Sequence, residues 1–107
     1  MDKYILNESG EPVRCDDVLT WGKVYEAQRD LRIVGSDAVG DDIRVSTVFL
    51  GLDHRFGAPG EPVLWETMIF GGEHDGYCDR YTSREAAVNG HAAALAMVRT
   101  TLGMKEA

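Results

Sequence analysis

Three charged residues follow directly on an apolar stretch of this sequence. Asp53, His54 and Arg55 lie within the segment VSTVFLGLDHRFGAPGEP, residues 45–62. Charged residues at the end of a strand often belong to a functional site, but they also make turns. The segment has no nucleophile pattern, phosphate-binding glycine loop or carboxylate pair at a fixed spacing. We therefore expect Asp53 to close an Asx turn, with His54 and Arg55 at the rim of a binding surface.

The three histidines of the chain, His54, His74 and His91, raise the question of a metal site. In an antiparallel meander, successive loops lie at opposite ends of the sheet, and a strand of about eight residues separates them by roughly 25 Å. His54 and His74 therefore cannot share an ion within one chain, and no spacing matches a zinc motif. The sequence predicts neither a metal nor another cofactor.

A carboxylate in the middle of an apolar strand is the most unusual residue of the chain. Glu66 lies within VLWETMIF and needs solvent, a cation or a hydroxyl donor. Its candidate partners are Arg44, Arg80 and Tyr81, and a symmetric GGEHDG turn would place Glu66 opposite Tyr81. A structural ion pair is the simpler interpretation. The alternative is a polar pocket for a small molecule or substrate, formed by Glu66, Arg80, Tyr81 and His91.

The last helix carries His91 on the stripe that is expected to face the sheet. Its predicted inner residues are Val88, His91, Ala92, Leu95, Val98 and Leu102. Because Gly90 precedes it, a close approach between helix and sheet is possible here. We expect a core histidine that is hydrogen-bonded to a neighbour, and a ligand-contacting histidine is the alternative.

The elements that position these residues are typical of an α+β protein. The pattern predicts a strand at residues 3–6, two strands around the Gly40–Asp41–Asp42 turn, and strands at VLWETMIFGG and YCDRYT. Helices are predicted at about 16–31 and 83–101, the second with a capping box of Thr82 and Glu85. The order β-α-β-β-β-β-α predicts an antiparallel sheet of four or five strands packed against two helices, in a single domain of residues 1–107.

The composition excludes several classes of function. The formal net charge of the 107 residues is −7, which argues against direct nucleic-acid binding and against anionic membrane surfaces. No apolar run reaches the roughly 18 residues of a membrane span, and no secretory signal is present. Two distant cysteines, Cys15 and Cys78, are expected to be reduced thiols of a cytoplasmic protein.

Two helices side by side cover one face of such a sheet and leave the other face bare. The bare face carries either Trp65, Thr67 and Ile69 or the set Leu64, Glu66, Met68 and Phe70. Both sets contain aromatic and aliphatic groups, and exposed apolar patches commonly mark an interface. Because two-fold pairing is the commonest way to bury such a patch, the sequence predicts a homodimer.

The segments VSTVFLGLDHRFG, VLWETMIFGG and RYTSREAAVNGH resemble a family of short proteins encoded by phages and prophages. Members typically begin with a strand similar to YIL and a helix that bears a tryptophan, like Trp21 here. The resemblance covers nearly the whole chain and implies no catalytic residues, because no activity is assigned to the family. It implies an accessory product made in the cytoplasm of an infected or lysogenic bacterial host.

Two functions compete at this point. The first is a small acidic accessory protein that binds a host or phage protein stoichiometrically, and inhibition of a bacterial defence system is one form that this binding would take. The second is a small-molecule-binding protein or enzyme. The lack of a catalytic constellation favours the first, and it makes an enzyme the less favoured interpretation. The candidate binding residues are Asp53, His54, Arg55, Glu66, Arg80, Tyr81 and His91.

Overall fold

The computed structural model describes residues 1–103, which form two helices and two antiparallel sheets. In chain order the elements are β1 (Tyr4–Leu6), β2 (Pro12–Arg14), α1 (Val18–Ala27), β3 (Ile33–Val39), β4 (Ile43–Phe49), β5 (Trp65–Phe70), β6 (Cys78–Tyr81) and α2 (Arg84–Thr101). Strands β3 to β6 pair consecutively in a four-stranded sheet, and β1 pairs with β2 in a separate hairpin. The predicted α+β class and antiparallel meander are confirmed.

The hairpin β1–β2 contains the one strand that the sequence did not predict. The side-chain oxygen of Asn7 accepts hydrogen bonds from the backbone N–H groups of Ser9 and Glu11, both at 2.9 Å, and closes the turn. The NESG segment therefore stops β1 as expected, but the chain then turns back on itself. Strand β2 was missed because its three residues, Pro12–Arg14, lack the apolar run that marks β1 and are too few for an alternating pattern.

Helix α1 is shorter than the predicted helix at 16–31. Asp17 caps its N-terminus by accepting from the N–H of Leu19, and the helix ends at Ala27. None of its residues is fully buried, and among the other helices and strands it packs against β1. Trp21 donates its indole N–H to the carbonyl of Tyr4, at 3.0 Å. The helix therefore fastens the hairpin and does not lie beside α2 on the sheet.

Helix α2 covers one face of the four-stranded sheet, with contacts to all four strands. Its N-cap is Ser83, which accepts from the N–H of Ala86 at 3.1 Å, so the predicted capping box of Thr82 and Glu85 is wrong by one residue. Its fully buried residues are Ala87, Ala94 and Val98. Three members of the predicted inner stripe, Val88, Ala92 and Leu102, are exposed instead. Small side chains make this contact, because the helix lies close to the sheet.

The pairing of β5 with β6 differs by one residue from the symmetric register. Glu66 lies opposite Arg80, and Trp65 lies opposite Tyr81. Gly71, Gly72 and Gly76 in the connecting loop all have positive φ, which lets a seven-residue loop replace the symmetric turn. Because successive side chains alternate between faces, this shift places Tyr81 under α2 and Arg80 on the opposite face.

The two faces of the sheet differ sharply in burial. The helix face carries the buried residues Val45, Thr47, Phe49, Trp65, Thr67 and Ile69. The open face carries Ile33, Arg44, Ser46, Val48, Glu66, Met68, Phe70, Cys78 and Arg80. The second of the two sets considered above is thus the exposed one, except that Leu64 precedes β5 and is buried.

Candidate functional site

The predicted site residues fall into three separate groups. The loop after β4 carries Asp53, His54 and Arg55. The open face carries Glu66 and Arg80, and the space beneath α2 contains Tyr81 and His91. A single polar pocket around Glu66, Arg80, Tyr81 and His91 is therefore not formed, because the sheet separates the first pair from the second.

The loop after β4 is organised around the buried carboxylate of Asp53. Oδ1 accepts from the backbone N–H groups of Arg55 and Val63, both at 3.0 Å, and Oδ2 accepts from Nε of Arg55 at 2.7 Å. The guanidinium of Arg55 also donates to the carbonyl of Gly60 across the loop. The predicted Asx turn at Asp53 is confirmed, and Arg55 serves as a clamp of the loop.

The hydrogen bonds at Asp53 change its acidity. Burial by itself raises the pKa of this carboxyl, but the bonds from Arg55 and from the N–H of Val63 outweigh burial and hold the pKa below its ordinary value of 3.8. A lowered pKa in the folded state means that the ionised form stabilises the fold above about pH 3.8. This contribution is lost as the pH falls through the lowered pKa.

We expect Asp53→Asn to lower the free energy of unfolding by about 1–2 kcal/mol at neutral pH, because the amide weakens the charge-assisted bonds to Arg55. The difference from the wild type should shrink below about pH 3.8, where the carboxyl of the unfolded chain becomes protonated, and it should vanish once the pH falls below the lowered pKa of the folded state. Urea unfolding at several pH values measures this. Asp41→Asn, at an exposed turn position, is the control. A difference that does not depend on pH would contradict the role given to the charge.

The same loop displays an aromatic pair at the surface. His54 donates from Nδ1 to the carbonyl of Leu52 at 2.7 Å, and its ring meets that of Phe56 edge to face with centroids 5.4 Å apart. Phe56 has a φ of 53°, uncommon for a bulky residue, and is exposed. The loop thus holds the ring of Phe56 in solvent, and the binding role of His54 and Arg55 stays a prediction.

Glu66 finds its partner on the open face. Arg80 donates from Nε to Oε2 of Glu66 at 2.9 Å, which is one of the two ion pairs expected from the sequence. The other candidate, Arg44, instead donates to the hydroxyl of Ser36 at 2.7 Å. Cys78 lies against the same carboxylate, and burial followed by Glu66 raises the pKa of its thiol. A thiol with a raised pKa is a poor nucleophile, so the acidity of Cys78 does not favour a catalytic role for it.

A chain of hydrogen bonds runs beneath α2. The hydroxyl of Tyr81 donates to Oγ1 of Thr67 at 3.0 Å, and Thr67 contacts Oγ1 of Thr47 at 2.5 Å. Thr47 contacts Nδ1 of His91 at 2.7 Å, and Nε2 of His91 contacts Asp37 at 2.6 Å. We call these five side chains the relay. The prediction of a core histidine bonded to a neighbour is confirmed.

The donors and acceptors of the relay are assigned from Asp37, the residue at its end whose side chain can only accept. The carboxylate of Asp37 only accepts, so Nε2 of His91 carries a proton. In the tautomer with the proton on Nε2 alone, Nδ1 accepts from the hydroxyl of Thr47. Thr67 in turn donates to Thr47. Each hydroxyl thus donates once and accepts at most once, and no buried side-chain polar atom of residues 1–103 lacks a partner.

An acid, a histidine and a hydroxyl in this order also occur in enzymes with an activated nucleophile. Here the hydroxyl belongs to Thr47, which is fully buried between α2 and the sheet. A substrate cannot reach its Oγ1 without displacing the helix. The relay therefore holds the helix on the sheet, and its geometry does not support acyl transfer.

No group of three or more histidine, cysteine, aspartate or glutamate side chains in residues 1–103 is placed to hold a metal ion. His74 lies apart from the other histidines and bonds through Nε2 to the hydroxyl of Thr101, at 2.7 Å. Both cysteines are free thiols. Within the same residues, neither helix has the length and apolar character needed to cross a membrane.

Sequence reasoning missed Asp37, Thr47 and Thr67. The available signal was weak: each threonine occupies an inward position of an otherwise apolar strand, and the two lie directly opposite each other.

No family model matches the chain in comparisons with known proteins, and no curated protein or solved structure matches it either.

Proposed function

We propose that this chain acts by stoichiometric protein binding through its open face, and that this face also pairs two copies of the chain. One observation carries the proposal: an apolar sheet face without a helix over it. Ile33 and Phe70 are 47% and 48% exposed, and Val48 and Met68 between them are half-buried. Burial of side chains of this size stabilises a contact by about 1.5–3 kcal/mol for each complete burial.

One of the two arginines of the open face is paired with a carboxylate. Arg80 pairs with Glu66, whereas Arg44 donates to the neutral hydroxyl of Ser36 and keeps its charge, so a partner that covers Arg44 needs an acidic or polar group opposite it. The face carries two arginines and one glutamate, whereas the whole chain has a net charge of −7. Two acidic chains therefore meet through this face with less electrostatic repulsion than their net charge implies.

The size of the face sets the strength of the contact. Four strands of about six residues present roughly 400 Å². Stable specific interfaces bury about 800 Å² on each partner, so the open face alone supports a weak dimer that depends on concentration. A heterologous partner with a larger matching surface would displace the second copy. Self-association then keeps the apolar face covered until that partner is present.

Sedimentation over a range of concentrations tests this proposal. We expect the wild type to approach twice the chain mass of 11.8 kDa at high concentration. Phe70→Asp should raise the dissociation constant at least about tenfold, because it replaces the most exposed large apolar side chain of the open face by a charge. Leu19→Asp is the matched control, since Leu19 is 75% exposed but lies on α1.

A wild type that stays monomeric at its highest soluble concentration would contradict the homodimer. An equal effect of Phe70→Asp and Leu19→Asp would contradict the assignment to the open face. The same two variants then serve in capture experiments with a candidate partner, in which only the Phe70 variant should lose binding.

The resemblance to phage and prophage proteins supplies the cellular setting of this proposal. In that setting the partner is a host or phage protein, and inhibition of a bacterial defence system is one consequence that such binding would have. Comparison of phage growth on hosts that carry Phe70→Asp or Leu19→Asp in the gene for this chain tests whether the open face acts there.

A further inference from the structure

A groove lies on the opposite side of the molecule from the open face. It is bounded by the β1–β2 hairpin, by the segment that follows α1 and by the part of the helix face that α2 leaves uncovered. Its volume is about 800 Å³. Ligand pockets in proteins span about 300–1,000 Å³, so the groove has room for a small organic molecule.

The floor of the groove is apolar. Leu6, Phe49 and Trp65 belong to one buried cluster, and Val34 packs against it. Val34 reaches this position because of an irregularity in the pairing of β3 with β4: Ile33 lies opposite Val48 on the open face, and the extra residue turns its side chain inward.

The wall of the groove is also apolar, and it is open to solvent. Leu31 is 67% exposed beside this floor, and Val13 across the groove is 38% exposed. Exposed aliphatic side chains next to a buried aromatic floor lose contact with water when an apolar ligand enters. The groove therefore favours an apolar body in its occupant.

The polar groups around the groove point to the charge of the ligand. Both ends of the Gln28 amide are used by the backbone of Leu6, and the side-chain oxygen of Asn7 is used by the hairpin turn. The charged lining residues are Arg84 and Glu8, and both are exposed, Arg84 at the start of α2 and Glu8 in the turn of the hairpin. Arg84 is the first residue of α2, three residues before Ala87, which is buried in the same cluster as the floor.

The guanidinium of Arg84 makes no hydrogen bond or ion pair with the residues that the structure describes. It lies at the positive end of the helix dipole of α2, which reinforces its attraction for an anion. A guanidinium binds a carboxylate with two parallel hydrogen bonds. An apolar floor next to such a group matches a molecule with one anionic end.

We propose that the groove binds an amphipathic monoanion, with its apolar part against Leu31, Val13 and Val34 and its carboxylate on Arg84. This site is separate from the open face and does not depend on the protein-binding proposal. The Arg84 contact gives selectivity for the anion over a neutral analogue, because the apolar floor treats both alike.

Titration with decanoate and with decanol, followed by amide chemical shifts, tests the site. We expect saturable shifts for both ligands at groove residues such as Gly10 and Leu31. Arg84→Gln should weaken decanoate binding about tenfold and leave decanol binding unchanged. Lys23→Gln removes the same charge from an exposed position of α1 and should change neither. Leu31→Asp should weaken both ligands.

Absence of saturable shifts at the groove would overturn the proposal. Equal loss of decanoate and decanol binding in Arg84→Gln would overturn the role of the arginine. An effect of Lys23→Gln as large as that of Arg84→Gln would show that net charge, and not a site, governs the binding. None of these outcomes depends on the oligomeric state, so they are distinct from a failure of the open-face proposal.

Discussion

Replacement of Gly90 by alanine is expected to lower the free energy of unfolding by about 2–3 kcal/mol, although alanine is the better helix former. A Cβ at this position of α2 would overlap the hydroxyl and ring carbons of Tyr81. The tyrosine must then move and release Thr67. Overpacking costs about 1–3 kcal/mol, and a buried hydroxyl without its partner costs a similar amount. The gain in helix propensity, at most about 1 kcal/mol, offsets only part of this loss.

Gly22 provides a control for the same chemical change in the other helix. Apart from its chain neighbours and the backbone of α1 itself, no heavy atom lies within 4 Å of the Cβ that an alanine would add there. Gly22→Ala should therefore stabilise the protein by up to about 1 kcal/mol, from helix propensity alone. Urea unfolding of both variants measures the two effects. A shift in the same direction for both would mean that the contact between Gly90 and Tyr81 does not determine the packing of α2.

The sequence indicated those parts of the fold that depend on local patterns. The Gly40–Asp41–Asp42 turn, the Asx turn at Asp53 and the last helix each follow from a few neighbouring residues. The register of β5 with β6 does not, because a glycine-rich loop accepts lengths that differ by one residue. This shift of the register by one residue decides whether Arg80 or Tyr81 lies opposite Glu66, and so it decides whether the predicted polar pocket can form.

The candidate site was predictable only in part, and for a related reason. Its partners lie far apart in the chain: Asp37 and His91 are separated by 54 residues. A histidine on an inward helix stripe indicates that some buried partner exists, but not which one. Likewise, alternation along β5 defined two faces, whereas the choice of the buried face depended on the packing of α2. The open face follows from that packing.

The relay beneath α2 makes a second strong prediction, at its central residue Thr47. Thr47→Val keeps the size and branching of the side chain and removes only the hydroxyl. His91 then loses the donor to Nδ1, and Thr67 loses its acceptor, in a site closed to water. Each unpaired buried group costs about 1–3 kcal/mol, so we expect a loss of about 3 kcal/mol in the free energy of unfolding.

Two matched variants separate the hydroxyl from other causes. Thr47→Ser keeps the hydroxyl and removes one buried methyl group, which should cost about 1 kcal/mol. Ser46→Ala, next along β4 but on the open face, should change stability by less than about 0.5 kcal/mol. If Thr47→Val proved as stable as Thr47→Ser, the hydroxyl would not be needed to hold the helix. The relay joins α2 to β3, β4, β5 and β6. A larger loss of stability for Thr47→Val than for Thr47→Ser would therefore mean that these bonds fix the helix on its own face of the sheet, opposite the open face.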